Sequence, residues 1–136
     1  MAEEISFMVL GEPVSKLRAR ITGRGNFTPT KTKAAEESFV IQSLRCRPNK
    51  PFNGPVSLTV RFYRSIPKSF SQKKRMAAIE ERIFPTTKPD LDNCLKLVKD
   101  AMNKIFYADD SQVVHETAWK FYSENPRIEV ILSEIE

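Results

Sequence analysis

The stretch KPDLDNCLKLVKDAMNKIFYADDSQVV, residues 88–114, contains every aspartate of the chain. The five are Asp90, Asp92, Asp100, Asp109 and Asp110. The chain around them is basic, with a formal net charge of +5. Carboxylates that crowd together repel one another unless a positive group lies between them. A divalent cation suits such a cluster, and a metal beside basic charge is typical of phosphate chemistry.

Apolar residues in this stretch recur three and four positions apart, which predicts one amphipathic helix after Pro89. The predicted apolar face comprises Leu91, Cys94, Leu95, Val98, Ala101, Met102, Ile105 and Phe106. Asp90 occupies the position of an N-cap. Asp92 lies in the first turn and Lys96 one turn later, on the polar side. The two carboxylates at the helix start can therefore point at one shared ligand.

The second pair of aspartates, Asp109 and Asp110, follows the helix and precedes a predicted strand. If that strand runs back beside the helix start, Asp110 meets Asp90 and Asp92. Three carboxylates around one point would bind Mg²⁺ or Mn²⁺ and leave positions for water and phosphate oxygens. Lys96 would then offset charge on the phosphate in the transition state or help to position the attacking water.

The same aspartates allow less specific interpretations. Asp90 can serve only as an N-cap, although capping does not account for the other aspartates. Asp92, Lys96 and Asp100 have the spacing of ordinary ion pairs on an exposed helix face, which is the interpretation that we favour for Asp100 and Lys99. A calcium-binding loop is excluded, because Cys94 stands where that loop needs an oxygen ligand.

Length and composition favour a single domain, residues 1–136, with one hydrophobic core. Cys46 and Cys94 are far apart and not in a metal-binding spacing, so we expect two reduced thiols. No apolar run is long enough to span a bilayer, and the acidic residues Glu3 and Glu4 near the start are unlike a signal peptide. We therefore expect a cytoplasmic protein.

Basic charge is concentrated in the first half of the chain. Between Pro13 and Ile79 the acidic residues are Glu36 and Glu37, against a long series of lysines and arginines. This distribution suits binding to a polyanion, and it equally suits a basic surface that only keeps the protein in solution.

The densest basic segment is PVSKLRARITGRGNFTPTKTK, residues 13–33, which contains no acidic residue. Extended backbone would place Arg18 and Arg20 on one side, facing phosphates, and Gly23 with Gly25 permits a tight turn. We interpret the segment as a DNA-contacting loop or ribbon, with a solvated surface loop as the alternative. The predicted DNA-binding residues are Lys16, Arg18, Arg20, Arg24, Lys31 and Lys33.

The rest of the chain mixes predicted strands and helices without strict alternation. Alternating side chains predict strands over residues 5–10, 56–63, 112–122 and 127–132. The last two strands are predicted to pair as an antiparallel hairpin. A helix is predicted from Thr30 or Thr32 to about Arg45, and Ser71 is the predicted N-cap of a short helix. The mixture indicates an α+β fold with a mixed or antiparallel sheet.

The aspartate stretch resembles the signature of the RusA family of Holliday-junction resolvases, metal-dependent endonucleases that prophages often carry. The matching residues are Asp90-Leu91-Asp92-Asn93, then Lys96, then Asp109-Asp110-Ser111-Gln112-Val113-Val114. The basic segment, read as KLRAR…FTPTKTK, also resembles the N-terminal pattern of the phage-type branch. Residues 66–83 depart from the pattern as a longer insertion than the family needs.

The resemblance implies a metal-binding triad of Asp90, Asp92 and Asp110 and a catalytic lysine at Lys96. It also implies an α+β fold, a homodimer, and Mg²⁺-dependent paired nicks placed symmetrically across a four-way DNA junction in recombination and repair. The alternative is a non-catalytic protein that binds branched DNA, in which the aspartates hold a structural ion or cap a helix. A nuclease for other branched DNA is a third possibility.

Overall fold

The computed structural model describes residues 3–16, 20–22, 25–27 and 30–136, and six strands and three α-helices occur in this part of the chain. The strands are β1 (Glu4–Leu10), β2 (Arg20–Thr22), β3 (Gly25–Phe27), β4 (Val56–Ser65), β5 (Val113–Ser123) and β6 (Arg127–Glu134). The helices are α1 (Thr30–Ser43), α2 (Gln72–Ile79) and α3 (Leu91–Met102). Short 3₁₀ turns occur at Leu44–Cys46 and Asp110–Gln112.

The main sheet is mixed and has the strand order β1-β6-β4-β5. β6 is antiparallel to both of its neighbours, whereas β4 and β5 are parallel. β2 and β3 form a separate antiparallel ribbon, which is one of the two forms predicted for the basic segment. The helices and the mixed sheet confirm the α+β class.

The predicted hairpin between the last two strands is wrong, because β4 lies between β5 and β6. Alternation shows which side chains face the core but does not identify the neighbouring strand. β6 buries Ile128, Val130 and Leu132 and takes a central position, whereas the more polar β5 takes the edge. The chain therefore crosses the end of β4 between Ser123 and Arg127.

The core lies between one face of the sheet and the two helices α1 and α3. The sheet contributes Ile5, Val9, Val56, Leu58, Val60, Phe62, Ile128, Val130 and Leu132. The helices contribute Phe39, Cys94, Leu95, Val98, Ala101 and Met102. Each large apolar side chain buried in this way stabilises the fold by roughly 1.5–3 kcal/mol. The position of α3 is thus fixed along its whole length.

The predicted helices form, with one difference at the end of α3. Ser71 caps α2, since its Oγ accepts the Lys74 N–H at 3.2 Å. α3 ends at Met102, earlier than its apolar pattern, because the backbone turns through Lys104 with a φ of 70°. Phe106 lies beyond the helix and is still fully buried.

Two further expectations concern the cysteines and the membrane. Cys46 and Cys94 are both free, as predicted, and Cys94 is buried. Within the ranges that the structure describes, no helix is both long enough and apolar enough to cross a membrane.

Candidate active site

The start of α3 presents two carboxylates to solvent. Asp90 is the N-cap residue, but its side chain accepts no capping hydrogen bond. Asp92 follows in the first turn, where its Oδ1 accepts the N–H of Asn93 at 3.0 Å. Both side chains are exposed. Helix capping therefore does not explain Asp90, and both carboxylates are accessible to a ligand.

Two cations of the sheet hold the turn that precedes these carboxylates. Lys120 Nζ donates to the carbonyl oxygens of Thr87 and Pro89, at 2.8 and 3.0 Å. Arg64 Nη1 donates to the Lys88 carbonyl at 2.5 Å. The backbone at the helix start is therefore tied to β4 and β5.

The buried thiol of Cys94 lies beside the same turn. Burial raises the pKa of Cys94 to about 11, while the charges of Lys120 and Arg64 lower this pKa and those of Asp90 and Asp92 raise it. All four charged groups thus act on one buried atom, which places them around one end of α3. At neutral pH the thiol is protonated, so Cys94 does not compete as a metal ligand.

Lys96 lies one helical turn beyond Asp92, on the exposed side of α3. In the part of the chain that the structure describes, it forms no ion pair. Its ammonium is therefore available to an anion that also approaches Asp92.

The other end of α3 carries Asp109 and Asp110, and the two aspartates differ in what they contact. Asp109 caps the following 3₁₀ turn, because its Oδ2 accepts the Ser111 N–H at 3.0 Å. Hydrogen bonds from the side chain and the backbone of Ser111 lower the pKa of Asp109. Asp110 is half-buried and makes no side-chain hydrogen bond to any described residue. The first aspartate is thus structural, and the second is free.

Gln112 anchors this end of α3, a role that the sequence did not suggest. Its Oε1 accepts the Asp109 N–H at 2.8 Å. Its Nε2 donates to the carbonyls of Phe52 and Gly54, at 2.7 and 2.8 Å. All the polar atoms of the amide are used to fix the backbone around Asp110.

The direction of β5 decides where Asp110 lies relative to the helix start. Near the end of α3, Lys99 Nζ pairs with Glu116 Oε1 at 3.0 Å. Near its start, the turn at Pro89 is held by Lys120, four residues further along β5. α3 and β5 therefore run in opposite directions, and β5 begins beside the end of the helix.

Asp110, which precedes β5, consequently lies at the opposite end of α3 from Asp90 and Asp92. The helix between Asp92 and Met102 is about 15 Å long. Among the described residues, which include all three aspartates, no group of three or more His, Cys, Asp or Glu side chains is arranged to hold a metal ion. The structure brings Asp90 and Asp92 together and leaves Asp110 apart, so the three-carboxylate set stays a prediction.

Lys16, at the start of the basic segment, is held against α1 and α3. Its ammonium pairs with Glu36 and, at 3.3 Å, with Asp100. Its N–H donates to the Asn93 carbonyl at 2.9 Å. Asp100 therefore does form an ion pair, though with another element rather than with a helical neighbour.

The other predicted DNA-binding residues continue from this attachment point. Lys31 and Lys33 are exposed on α1. Lys31, Arg64 and Lys88 line a pocket of about 410 Å³ beside Pro89. Lys16 and Lys31, two described residues of the basic segment, therefore lie next to the helix start that carries Asp90 and Asp92. Arg20 begins β2, whereas Arg18 and Arg24 lie outside the described residues.

Sequence reasoning missed Arg64 and Lys120, which hold the turn before α3. For Arg64 a signal exists, because it continues the alternation of Val60 and Phe62, whose side chains face the core. A cation in that phase indicates a buried polar partner. Lys120 offers no comparable signal, because buried and exposed side chains do not alternate regularly along β5.

Comparison with known proteins identifies the family. A model of the family described as Endodeoxyribonuclease RusA matches residues 11–133. The chain belongs to the RusA endodeoxyribonuclease family. This RusA-family chain is 37% identical over 101 residues to the protein named Crossover junction endodeoxyribonuclease rusA of Lactococcus phage r1t, which covers 72% of this chain and 70% of the phage protein. It is also 44% identical over 137 residues to the uncharacterized protein YqaN of Bacillus subtilis (strain 168), covering 96% of each.

The helix start of this RusA-family chain fits a hard divalent metal. Mg²⁺ is usually held by one or two carboxylates, while waters and substrate phosphates complete its shell. Asp90 and Asp92 supply two exposed carboxylates without competing side-chain bonds from other elements. Carboxylate oxygens without a nearby thiolate or imidazole suit a hard divalent cation.

Proposed function

We propose that this RusA-family protein is a Mg²⁺-dependent endodeoxyribonuclease that resolves Holliday junctions by paired, symmetric nicks during DNA recombination and repair. The observation that carries the proposal is the pair of exposed carboxylates, Asp90 and Asp92, beside Lys16 and Lys31 of the basic segment. The similarity to the phage protein named as a crossover junction endodeoxyribonuclease supports a crossover junction as the substrate.

The proposed metal ligands are Asp90, Asp92 and Asp110, with Mn²⁺ as a possible substitute for Mg²⁺. Asp109 is excluded from this set because its carboxylate already caps the 3₁₀ turn. The bound metal would polarise the scissile phosphate and lower the pKa of the attacking water.

The residues of the chain itself then orient the phosphodiester. Asp90 and Asp92 define one point at the helix start, and the ammonium of Lys96 lies one turn away. A phosphate that reaches both would have a cation beside the oxygen on which negative charge develops. Lys96 therefore offsets that charge in the transition state or holds the attacking water in position.

The position of Asp110 supports a homodimer with shared sites. Because about 15 Å of helix separates the two ends of α3, one chain does not supply all three carboxylates to one ion. A two-fold dimer would bring Asp110 of the partner subunit to Asp90 and Asp92. The same symmetry creates two equivalent sites facing a two-fold junction.

DNA binding is proposed for the basic segment that adjoins the helix start. Lys31 and Lys33 are exposed on α1, Lys31 lines the pocket beside Pro89, and the backbone N–H of Lys16 donates to the Asn93 carbonyl of α3. The proposed set also includes Arg18, Arg20 and Arg24. Contacts of this type bind phosphates and give a steep dependence of affinity on salt.

A nicking assay on a labelled four-way junction tests both the reaction and the shared site. Wild-type protein is expected to nick in Mg²⁺ and not in a chelator. Asp92→Asn and Asp110→Asn are each expected to be inactive, but the two coexpressed in one cell should regain activity. About half of the dimers are then mixed and have one intact site of two, so about a quarter of the wild-type activity returns.

Coexpression of Asp90→Asn with Asp92→Asn is the matched control. Both substitutions fall in the same half of a shared site, so no mixed dimer has an intact site and no activity should return. Absence of rescue in the first pair would contradict a site shared between two chains. A wild-type protein that binds the junction but never nicks it would leave the non-catalytic alternative.

A further inference from the structure

Three consecutive carbonyl groups just before α3 accept hydrogen bonds from charged side chains of the sheet. Lys120 Nζ donates to the outer two, those of Thr87 and Pro89. Arg64 Nη1 donates to the middle one, that of Lys88. Hydrogen bonds from a charged donor are roughly twice as strong as neutral ones. The backbone that leads into the helix is thus fixed at three successive positions.

The two donors belong to the rigid part of the fold. Arg64 pairs with Tyr122 and Lys120 with Phe62, in the parallel ladder of β4 and β5. Residues 80–90, all of which are described, contain neither helix nor strand. The sheet therefore supplies the hydrogen bonds that this connecting segment lacks.

The positive charges of Arg64 and Lys120 are not neutralised by acidic side chains of the described residues. Neither Arg64 nor Lys120 forms an ion pair with a described residue. Both donate to carbonyls of residues 87–89, so the two cations lie beside the helix start that carries Asp90 and Asp92. Two nearby cations offset the repulsion between the two carboxylates while no metal is bound.

We propose that Arg64 and Lys120 are positioning residues that hold the turn before α3, so that Asp90 and Asp92 converge on one metal ion. This inference rests on the proposed function, because it concerns the same site. Partners that orient metal ligands in this way typically change metal affinity ten- to a hundredfold when they are removed.

Hydrogen exchange of the metal-free protein tests the positioning role without relying on activity. Lys120→Met keeps the aliphatic stem and loses both hydrogen bonds, so amides in residues 88–94 should exchange at least about fivefold faster. Lys120→Arg keeps a charged donor and should restore slow exchange. The matched control is Lys99→Met, which breaks the ion pair with Glu116 at the other end of the same helix and should leave residues 88–94 unchanged.

The metal requirement provides the second measurement. Lys120→Met should raise the Mn²⁺ concentration for half-maximal nicking by about ten- to a hundredfold. Its affinity for the junction in chelator should stay within about twofold, since the side chain is directed at carbonyls rather than at DNA. Arg64→Gln should also raise the required Mn²⁺ concentration. If Lys120→Met loses its circular dichroism signal and is therefore unfolded, Arg64→Gln is the variant that tests the positioning role.

The outcomes separate this inference from the proposed function. If the wild type nicks but both variants keep its exchange pattern and Mn²⁺ requirement, the positioning role is wrong while the nuclease stands. A shift of equal size in Lys99→Met would also overturn it. If the wild type does not nick, the nuclease proposal fails, and the exchange data alone decide whether the two cations hold the turn.

Discussion

The two ends of α3 show opposite ways of keeping an aspartate free. At the start, Asp90 stands at the N-cap without capping, and cations of the sheet fix the backbone instead. At the end, Asp109 does the capping, and its neighbour Asp110 is left without a side-chain partner among the described residues. In both places other side chains carry the structural role. The free carboxylates are therefore available for chemistry.

The surroundings of the two ends also differ. Tyr107, near the end, is fully buried and donates its hydroxyl to the Lys99 carbonyl at 2.7 Å. Burial raises the pKa of Tyr107, and the charge of Asp110 raises it further. The start of the helix is open to solvent, with Asp90 and Asp92 exposed. The exposed start can admit a phosphodiester, whereas Asp110 at the other end is half-buried near the ring of Tyr107.

The largest expected effect on nicking comes from a substitution at the exposed start of α3. Asp92→Asn should lower the nicking rate by at least about a hundredfold, because it removes a proposed metal ligand rather than a residue that only orients one. Junction affinity in chelator should stay the same or increase, since a negative charge beside DNA is lost. Rates and affinities on one labelled four-way junction at fixed salt give both numbers.

Asp100→Asn is the matched control for this substitution. Its carboxylate lies on the same helix but pairs with Lys16, so nicking should change by less than about threefold. Equal inactivity of the two variants would mean that loss of any charge on α3 is harmful. Unchanged nicking by Asp92→Asn would remove Asp92 from the metal site.

The parts of the fold that follow from local pattern were predictable. The apolar positions of α3 repeat with the helical period, so its buried face could be predicted from the sequence. The N-cap position of Asp90 followed from Pro89 and the start of that pattern. The absence of a capping bond did not follow, because it depends on where the carboxylate points.

The placement of Asp110 was not predictable, because it depends on the direction of β5. Alternating side chains indicate a strand and its buried side, but they do not specify its neighbours. The predicted hairpin with β6 was wrong for this reason. Similarly, the condition that would bring Asp110 to Asp92, a strand starting beside the helix start, is not met within one chain.

A smaller effect is expected at the end of α3 near Asp110, and it concerns the stability of the fold rather than the nicking rate. Gln112→Ala removes three hydrogen bonds, including those to the carbonyls of Phe52 and Gly54. Leaving such groups without a partner typically costs about 1–3 kcal/mol, so the free energy of unfolding in urea should fall by that amount. Gln112→Glu keeps the acceptor but points a carboxylate oxygen at these two carbonyl oxygens, so its loss of stability should be at least as large as that of Gln112→Ala.

Gln72→Ala provides the control for this loss. Gln72 is an exposed glutamine in the first turn of α2, and its replacement should change stability by no more than about 0.5 kcal/mol. Equal effects of the two alanine variants would show that the contacts of Gln112 do not hold this end of α3.

The smallest expected effect is the pH dependence of the cap at Asp109. Hydrogen bonds from Ser111 lower the pKa of this carboxyl below its usual 3.8 in the folded protein. A lowered pKa stabilises the fold above the unfolded value, and this contribution is lost as the pH falls through the folded value. Asp109→Asn should therefore be slightly less stable than the wild type at pH 7, and the difference should shrink as the pH falls below 3.8.

Urea unfolding at pH 7 and at about pH 3.5 measures this difference. Ser111→Ala removes the hydroxyl that is the main cause of the shift, so replacing Asp109 in that background should matter less at pH 7 and show a weaker pH dependence. A difference between Asp109→Asn and the wild type that is equally large at both pH values would mean that the cap acts through its shape and not its charge. In that case the stability of neither end of α3 would depend on an ionised aspartate, since Asp90 makes no capping hydrogen bond and the Asp109 cap would not need its charge.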